Sequence, residues 1–280
     1  MSDAPSKQSS AIAEFRKLHA SGCFLLPNPW DVGSARYLQH LGFKALATTS
    51  AGFAFSRGLP DEVRALPRDL MLAHIREIAA ATPLPVNADF QSGYANESEG
   101  VAESVALCVA AGVAGLSIED STGDAATPLY DEEMAIDRVR AARAAIDIAG
   151  VPVVLTARCE AWLVGHPDAA RVALRRLVAF AEAGADCLYA PGVKDLDEIA
   201  RIVKAVAPKA VNVLVSAPSA DLTLPRLAEI GVRRISVGSA LARVAWGAFM
   251  KAAHGLAEGS FEGLAGAAPF GELNELFGRG

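Results

Sequence analysis

The feature that most constrains this chain is a phrase it repeats. Four times a helix-like segment closes on small or apolar residues and a glycine, and an apolar run follows at once: "HLGFKALATTS", "AAGVAGLSIED", "EAGADCLYAPG" and "EIGVRRISVGS". A glycine just past a helix takes up the left-handed cap that other residues resist. The runs that follow are apolar on both faces, which suits strands covered on either side and therefore a parallel sheet. Eight such runs occur in order, at 23–30, 44–50, 85–90, 115–120, 152–158, 187–192, 210–217 and 233–239. Segments with helical spacing lie between them, for instance 132–149 and 167–183. Eight strands alternating with helices in 280 residues predict an α/β fold, a (β/α)8 TIM barrel. A doubly wound sheet is the alternative.

Residues 1–10 are polar and serine-rich and read as a flexible tail. No linker divides the rest, so residues 11–280 are expected to form one barrel domain. The chain is 52% hydrophobic with a net charge of −6 and carries no basic stripe. That composition argues against nucleic acid or an anionic membrane surface as a partner. Cys23, Cys108, Cys159 and Cys187 form no CxxC pair, which suits reduced thiols in a cytoplasmic protein. No signal peptide is visible, and no apolar run reaches the roughly 18 residues of a membrane span.

In a barrel, chemistry gathers where the strands end. Those ends carry Asn28 and Asp31; Thr48, Thr49 and Ser50; Asn87 and Asp89; Glu119 and Asp120; Arg158 and Glu160; Tyr189; Ser216; and Ser236 and Ser239. The opposite ends are mostly apolar or proline. Asn87 and Asp89, two apart on one strand, point the same way. Asp89, Glu119 and Asn87 are oxygen ligands, and Asp61 lies in the loop after the second strand. Carboxylates converging on one mouth repel unless protonated or bridged by a hard cation, for which Mg²⁺, or Mn²⁺ in its place, is the candidate. Arg158 can clamp a substrate carboxylate through two hydrogen bonds. "TTSAG" at 48–52 is small enough to leave backbone N–H groups open to an anion.

Plainer readings stand beside these. Asp31, with Gly33 and Ser34 after it, suits a helix N-cap, and Asp120 could cap the next helix. Arg158 with Glu160 could be a rim ion pair, and Asn87 with Asp89 an internal hydrogen-bonded layer. His19, His40, His74 and His254 fall on helices and His166 in a loop, all ordinary positions. Cys159, between Arg158 and Glu160, should face away from both.

Together "TTSAG", "NADFQSGYA", "GLSIEDS" and "TARCEAW", in this order at strand ends, resemble the isocitrate lyase/phosphoenolpyruvate mutase superfamily over nearly the whole chain. The resemblance implies that Ser50, Ala51 and Gly52 bind the substrate's carboxylate and oxo group. It implies Asp89 as the direct Mg²⁺ ligand, Asp61 and Glu119 as ligands through water, and Arg158 as the clamp. Arg158, Asp61 and Glu119 form the expected catalytic set, with Asn87 and Ser216 added to the substrate-binding set. It further implies a homotetramer whose C-terminal helical extension is exchanged between subunits.

The chain departs from the family at three points. Asn87 stands where many members have Asp. The loop after the fourth strand, "EDSTGDAATPLYDEE", lacks the Lys-Lys-Cys-Gly-His type pattern of the C–C lyases. "YAPG" lacks the family histidine. What remains stabilises an enolate, and what is lost would protonate a leaving dicarboxylate. The expected activity is a Mg²⁺-dependent lyase on a small 2-oxo or 2-hydroxy dicarboxylic acid, with decarboxylation of an oxaloacetate-like acid foremost. The alternatives are a C–C lyase on a substituted malate or methylisocitrate-like acid, with water or Tyr94 as acid, and a 2-oxo-acid-binding protein without turnover.

Overall fold

A computed structural model of the chain describes residues 6–62 and 65–278. Eight parallel strands form one sheet: β1 (Phe24–Leu26), β2 (Leu46–Ala47), β3 (Val86–Asp89), β4 (Gly115–Glu119), β5 (Val154–Arg158), β6 (Cys187–Tyr189), β7 (Ala210–Leu214) and β8 (Arg234–Ser236). Their order is β1-β8-β7-β6-β5-β4-β3-β2, so from β2 to β8 each strand pairs with the next in sequence and β8 returns to β1. Between β1 and β2 the Ala47 N–H donates to the Pro27 carbonyl at 3.0 Å and draws the two edges together. The fold is the predicted (β/α)8 barrel. The strands are shorter than the apolar runs because most runs continue into the loop that leaves the barrel, while the run 152–158 begins before its strand and ends with it.

The repeated phrase does what its glycines dictate. Gly42, Gly112, Gly184 and Gly231 all adopt positive φ, between 83° and 107°, just past their helices. The segments expected to be helical over 132–149 and 167–183 form helices Glu132–Ile148 and Ala169–Glu182. Asp31 caps helix Val32–His40, accepting from the Ser34 N–H at 2.7 Å. Cys108, Cys159 and Cys187 are buried, free thiols, and Cys23 is half-buried. Among the described residues no helix is long and apolar enough to cross a membrane.

The expected tail is corrected over residues 7–10, which begin helix Lys7–Ala20, capped by Ser6; residues 1–5 lie outside the described residues. Lys7 Nζ donates to the Ala79 and Ala80 carbonyls, and Gln8 Nε2 to those of Val109 and Val113. This helix covers the end of the barrel where the strands begin. Phe15, fully buried, lies so close to Gly115 that a Cβ there would sit 2.7 Å from its ring.

The barrel interior departs from the expectation of apolar strand starts. Arg234, the first residue of β8, is buried with its Nε on Asn212 Oδ1 (2.8 Å) and Nη2 on Thr156 Oγ1 (3.1 Å). Its Nη1 reaches His19 Nε2 (3.3 Å) and Asn87 Oδ1 (3.4 Å). Burial, and then the Arg234 charge, push His19 down to about 3, so its ring is neutral at pH 7. At the other end of the chain, helix Ala240–Ala257 buries only Ala242 and leaves Val244, Phe249 and Met250 exposed. Helix Phe270–Gly278 buries nothing.

Candidate active site

Asp89, Glu119, Arg158 and Tyr189 are the last residues of β3, β4, β5 and β6. Register sets Glu119 beside Arg158 and Arg158 beside Tyr189, and Asp89 reaches the same guanidinium from the end of β3. Arg158 Nη1 meets Asp89 Oδ1 at 2.8 Å, Nη2 meets Glu119 Oε2 at 3.2 Å and Nε meets Glu160 Oε1 at 2.9 Å. The Tyr189 ring lies 5.1 Å from the guanidinium carbon. Burial pushes the Tyr189 phenol up to about 12 against the pull of Arg158, so it stays protonated.

Asp89 also organises the end of β2. Its Oδ2 accepts from the Ser50 N–H and Oγ, both at 2.9 Å, and its own N–H donates to Thr48 Oγ1. Thr49 caps the short helix Ser50–Ser56 and takes the Gly52 N–H at 3.2 Å. Ser50 and Ala51 line the mouth; Gly52 does not. A Cβ on Gly52 would lie 2.6 Å from Thr49 Cγ2, so glycine serves packing there. Asn28 staples the closure of the barrel, donating to the Thr48 carbonyl and accepting from the Val237 and Gly238 N–H groups.

Two cavities meet over this layer. An inner one of about 170 Å³ runs from Ser50 and Asp89 down past Asn87 to Arg234. An outer one of about 580 Å³ lies between Asp61, Gln91, Glu160 and the loop 121–125. A larger depression of about 1140 Å³ lies against helix Phe270–Gly278 and gathers no comparable cluster of charges. Asp61 borders both cavities of the mouth. Burial raises its pKa, and Asp89 adds to the effect. Burial raises Glu119 well above the carboxylate range although Arg158 pulls it back, and Glu160 shifts the same way for the same reasons.

Asp61, Asp89, Glu119 and Glu160 thus surround one guanidinium, a surplus of acidic groups whose ionised forms a hard cation would favour. Among the described residues no three acidic, histidine or cysteine side chains converge tightly enough to hold an ion unaided. A divalent ion here would meet few protein oxygens directly and take the rest of its shell from water.

Other expected residues fall elsewhere. Asn87 lies one step below Asp89, on the floor of the inner cavity, with Arg234 as its cross-barrel partner. Ser216 borders neither cavity; its carbonyl accepts from Arg243. Asp120 caps no helix. Buried, it pairs with Arg176 Nη1 at 2.8 Å and accepts the Glu160 N–H at 2.8 Å. The Tyr94 hydroxyl is buried without a partner and borders neither cavity; burial, then Asp89 and Glu119, raise its pKa. Cys159 is fully buried and its thiol pushed up by burial, which removes it as a nucleophile.

Three arginines escaped the sequence reading. Arg138, on helix Glu132–Ile148, is buried against Tyr130 and donates to the carbonyls of Ser92, Ala95 and Asn96 in the loop after β3. Arg176, on helix Ala169–Glu182, grips Asp120 and the Tyr130 carbonyl, the two feet of the loop after β4. Arg234 fills the barrel floor. The only signal in the sequence was an arginine in register with apolar neighbours.

The chain matches the family model described as phosphoenolpyruvate phosphomutase over residues 15–257. It is 35% identical over 263 residues to an uncharacterized protein of Mycobacterium tuberculosis (strain H37Rv), spanning 92% of this chain and 94% of the relative. It is 29% identical over 233 residues to oxaloacetate decarboxylase of Pseudomonas entomophila, spanning 81% of this chain and 78% of that enzyme. The solved structure of a candidate lyase/mutase from Burkholderia cenocepacia J2315 superposes with a TM-score of 0.93 at 46% identity, covering 98% of each chain.

Proposed function

The chain belongs to the phosphoenolpyruvate phosphomutase family, and from that premise we propose a Mg²⁺-dependent lyase that acts on a small 2-oxo or 2-hydroxy dicarboxylic acid, foremost by decarboxylating an oxaloacetate-like acid. Related lyases of the superfamily use a divalent metal. Asp89 would hold the ion directly and Asp61 and Glu119 through water. When bound, a divalent cation stabilises negative charge on the substrate's carboxylate and 2-oxo oxygens.

The chain's own residues do the rest. Arg158 grips the substrate carboxylate and shares the charge that develops beside it. Ser50 and Ala51 wall the acid's head, and Tyr189 shields the guanidinium from below. As the C3–C4 bond breaks, its electron pair stays with C3 and delocalises toward the 2-oxo oxygen. The carboxylate departs as CO₂ and needs no proton, and water returns a proton to C3.

The observation that carries this reading is a contrast within the mouth. Arg158 sits among carboxylates, equipped for charge stabilisation, while the loop 121–130 beside it offers no cysteine, histidine or lysine to protonate a leaving dicarboxylate. The position of Tyr94 outside both cavities weighs against its serving as that acid.

The test is turnover of a panel of C4 to C6 oxo and hydroxy acids with Mg²⁺. The expected result is pyruvate and CO₂ from oxaloacetate, faster than Mg²⁺ alone and abolished by chelator. Cleavage of substituted malates instead would replace the decarboxylase reading, and oxalate binding without turnover of any acid would replace the enzyme reading.

A further inference from the structure

Building on the mouth as the site of a 2-oxo acid, we infer that the outer chamber receives a substituent on the substrate's C3 and selects a hydrogen-bond donor there, a hydroxyl or an ammonium, over a further carboxylate. The reasoning begins with size. The inner cavity, about 170 Å³, is on the scale of a four-carbon acid, whereas the chamber above it adds about 580 Å³ that such an acid leaves empty.

Charge comes next. The chamber is bordered by Asp61, Glu62, Glu119, Asp124 and Glu160, and among the described residues Arg158 is the one cation on its wall. That guanidinium is already bonded to Asp89, Glu119 and Glu160. A divalent ion shared by Asp61, Asp89 and Glu119 would still leave Glu62, Asp124 and Glu160 facing the chamber. A tail carboxylate would therefore be desolvated against like charge, while a neutral or cationic tail would not.

An independent observation names the group that is wanted. Gln91 borders the chamber, is only 5% exposed, and its Oε1 has no hydrogen-bond partner. An unpaired buried acceptor is costly, and the Gln91 backbone itself takes the left-handed region, with φ of 46°. A donor arriving on the substrate would satisfy it, and Ser121 and Thr122, which line the same chamber, are neutral.

The experiment uses N-substituted oxamates, inert mimics of a 2-oxo acid that carry the tail where C3 would carry it. Binding to the full chain in Mg²⁺ is measured by calorimetry for oxamate and its N-ethyl, N-(2-hydroxyethyl), N-(2-aminoethyl) and N-(carboxymethyl) forms. The hydroxyethyl and aminoethyl forms should bind about tenfold or more tighter than the carboxymethyl form. Gln91→Leu should erase the advantage of hydroxyethyl over ethyl, and Asp124→Asn, on the exposed loop tip, should narrow the gap to carboxymethyl. Carboxymethyl binding within about twofold of hydroxyethyl in the unaltered protein would overturn the inference while leaving the 2-oxo-acid site standing. If oxamate itself does not bind, the site reading falls and the inference with it.

Discussion

The Asp120–Arg176 pair allows a prediction whose size can be worked from the structure. Both side chains are almost fully buried and meet at 2.8 Å. In Arg176→Met the aliphatic stem is kept and the charge removed, which leaves Asp120 buried with the Glu160 N–H and the Cys159 thiol as its remaining partners. Breaking such a pair by removing one partner costs about 3–5 kcal/mol. A ceiling follows from the carboxylate itself, which can always escape by taking up a proton. For an aspartate with an ordinary pKa of about 3.9, that costs about 3 × 1.4, or roughly 4 kcal/mol at pH 7. At pH 5 the same escape costs only about 1.5 kcal/mol.

The sign is therefore fixed. The variant's carboxyl is protonated more readily folded than unfolded, so the penalty is full at neutral pH and fades on acidification. Urea unfolding of the wild type and variant at pH 7 and pH 5, followed by circular dichroism, should show a destabilisation of about 3–4 kcal/mol shrinking to about 1.5 kcal/mol. Adding Asp120→Asn to the variant should restore most of the loss at pH 7. A loss that does not change with pH, or that survives Asp120→Asn, would mean that packing holds these loops and that the charge argument is wrong.

Further predictions follow from the mouth and the barrel floor. Burial raises Asp61, Glu119 and Glu160, so without metal their contribution to stability declines as pH rises through the carboxylate range, and a divalent ion should oppose that decline. Mg²⁺ titrations in buffers of different ionisation enthalpy, run near pH 5–6, should accordingly report proton release; heats independent of the buffer would contradict it. Asn87→Asp sets a carboxylate against Arg234, so part of the added charge is absorbed there and Mg²⁺ without ligand should tighten by no more than about tenfold. Equal Mg²⁺ affinity in both proteins, with and without oxalate, would confine Asn87 to the internal layer. We also propose that helix Ala240–Ala257 and the segment beyond it cover a neighbouring subunit of a homotetramer, so deleting residues 240–280 should give aggregated protein. A soluble, compact monomer from that truncation would refute it.

The layout of the barrel was readable because its cues are local. A helix that ends in glycine and a strand apolar on both faces announce themselves within a dozen residues, and Gly42, Gly112, Gly184 and Gly231 bear that out in their dihedrals. Asp89, Glu119 and Arg158 were readable because each closes its strand, Glu119 and Arg158 in register and Asp89 within side-chain reach of Arg158. Arg138, Arg176 and Arg234 were not, since an arginine on a helix face or at a strand start usually meets solvent and here finds hydrogen-bond partners 22 to 215 residues away. Asp120 was misread for the same reason, its partner being a helix later. The polarity that begins β8 and runs through Asn212 and Thr156 depends on side chains crossing the barrel, a relation no stretch of sequence spells out.

The way the loop after β4 is fastened has a consequence for how such a protein diverges. Its feet, Asp120 and Tyr130, are pinned by Arg176 and by their own backbone bond of 2.9 Å, while the tip is tied only to itself, through Thr122, Asp124 and Thr127. Residues 121–125 can therefore be exchanged without loosening the barrel, and the feet cannot. Mutational drift is thereby channelled to the positions that a substrate's outer end would meet. A lineage can change its diet while its skeleton stays the same.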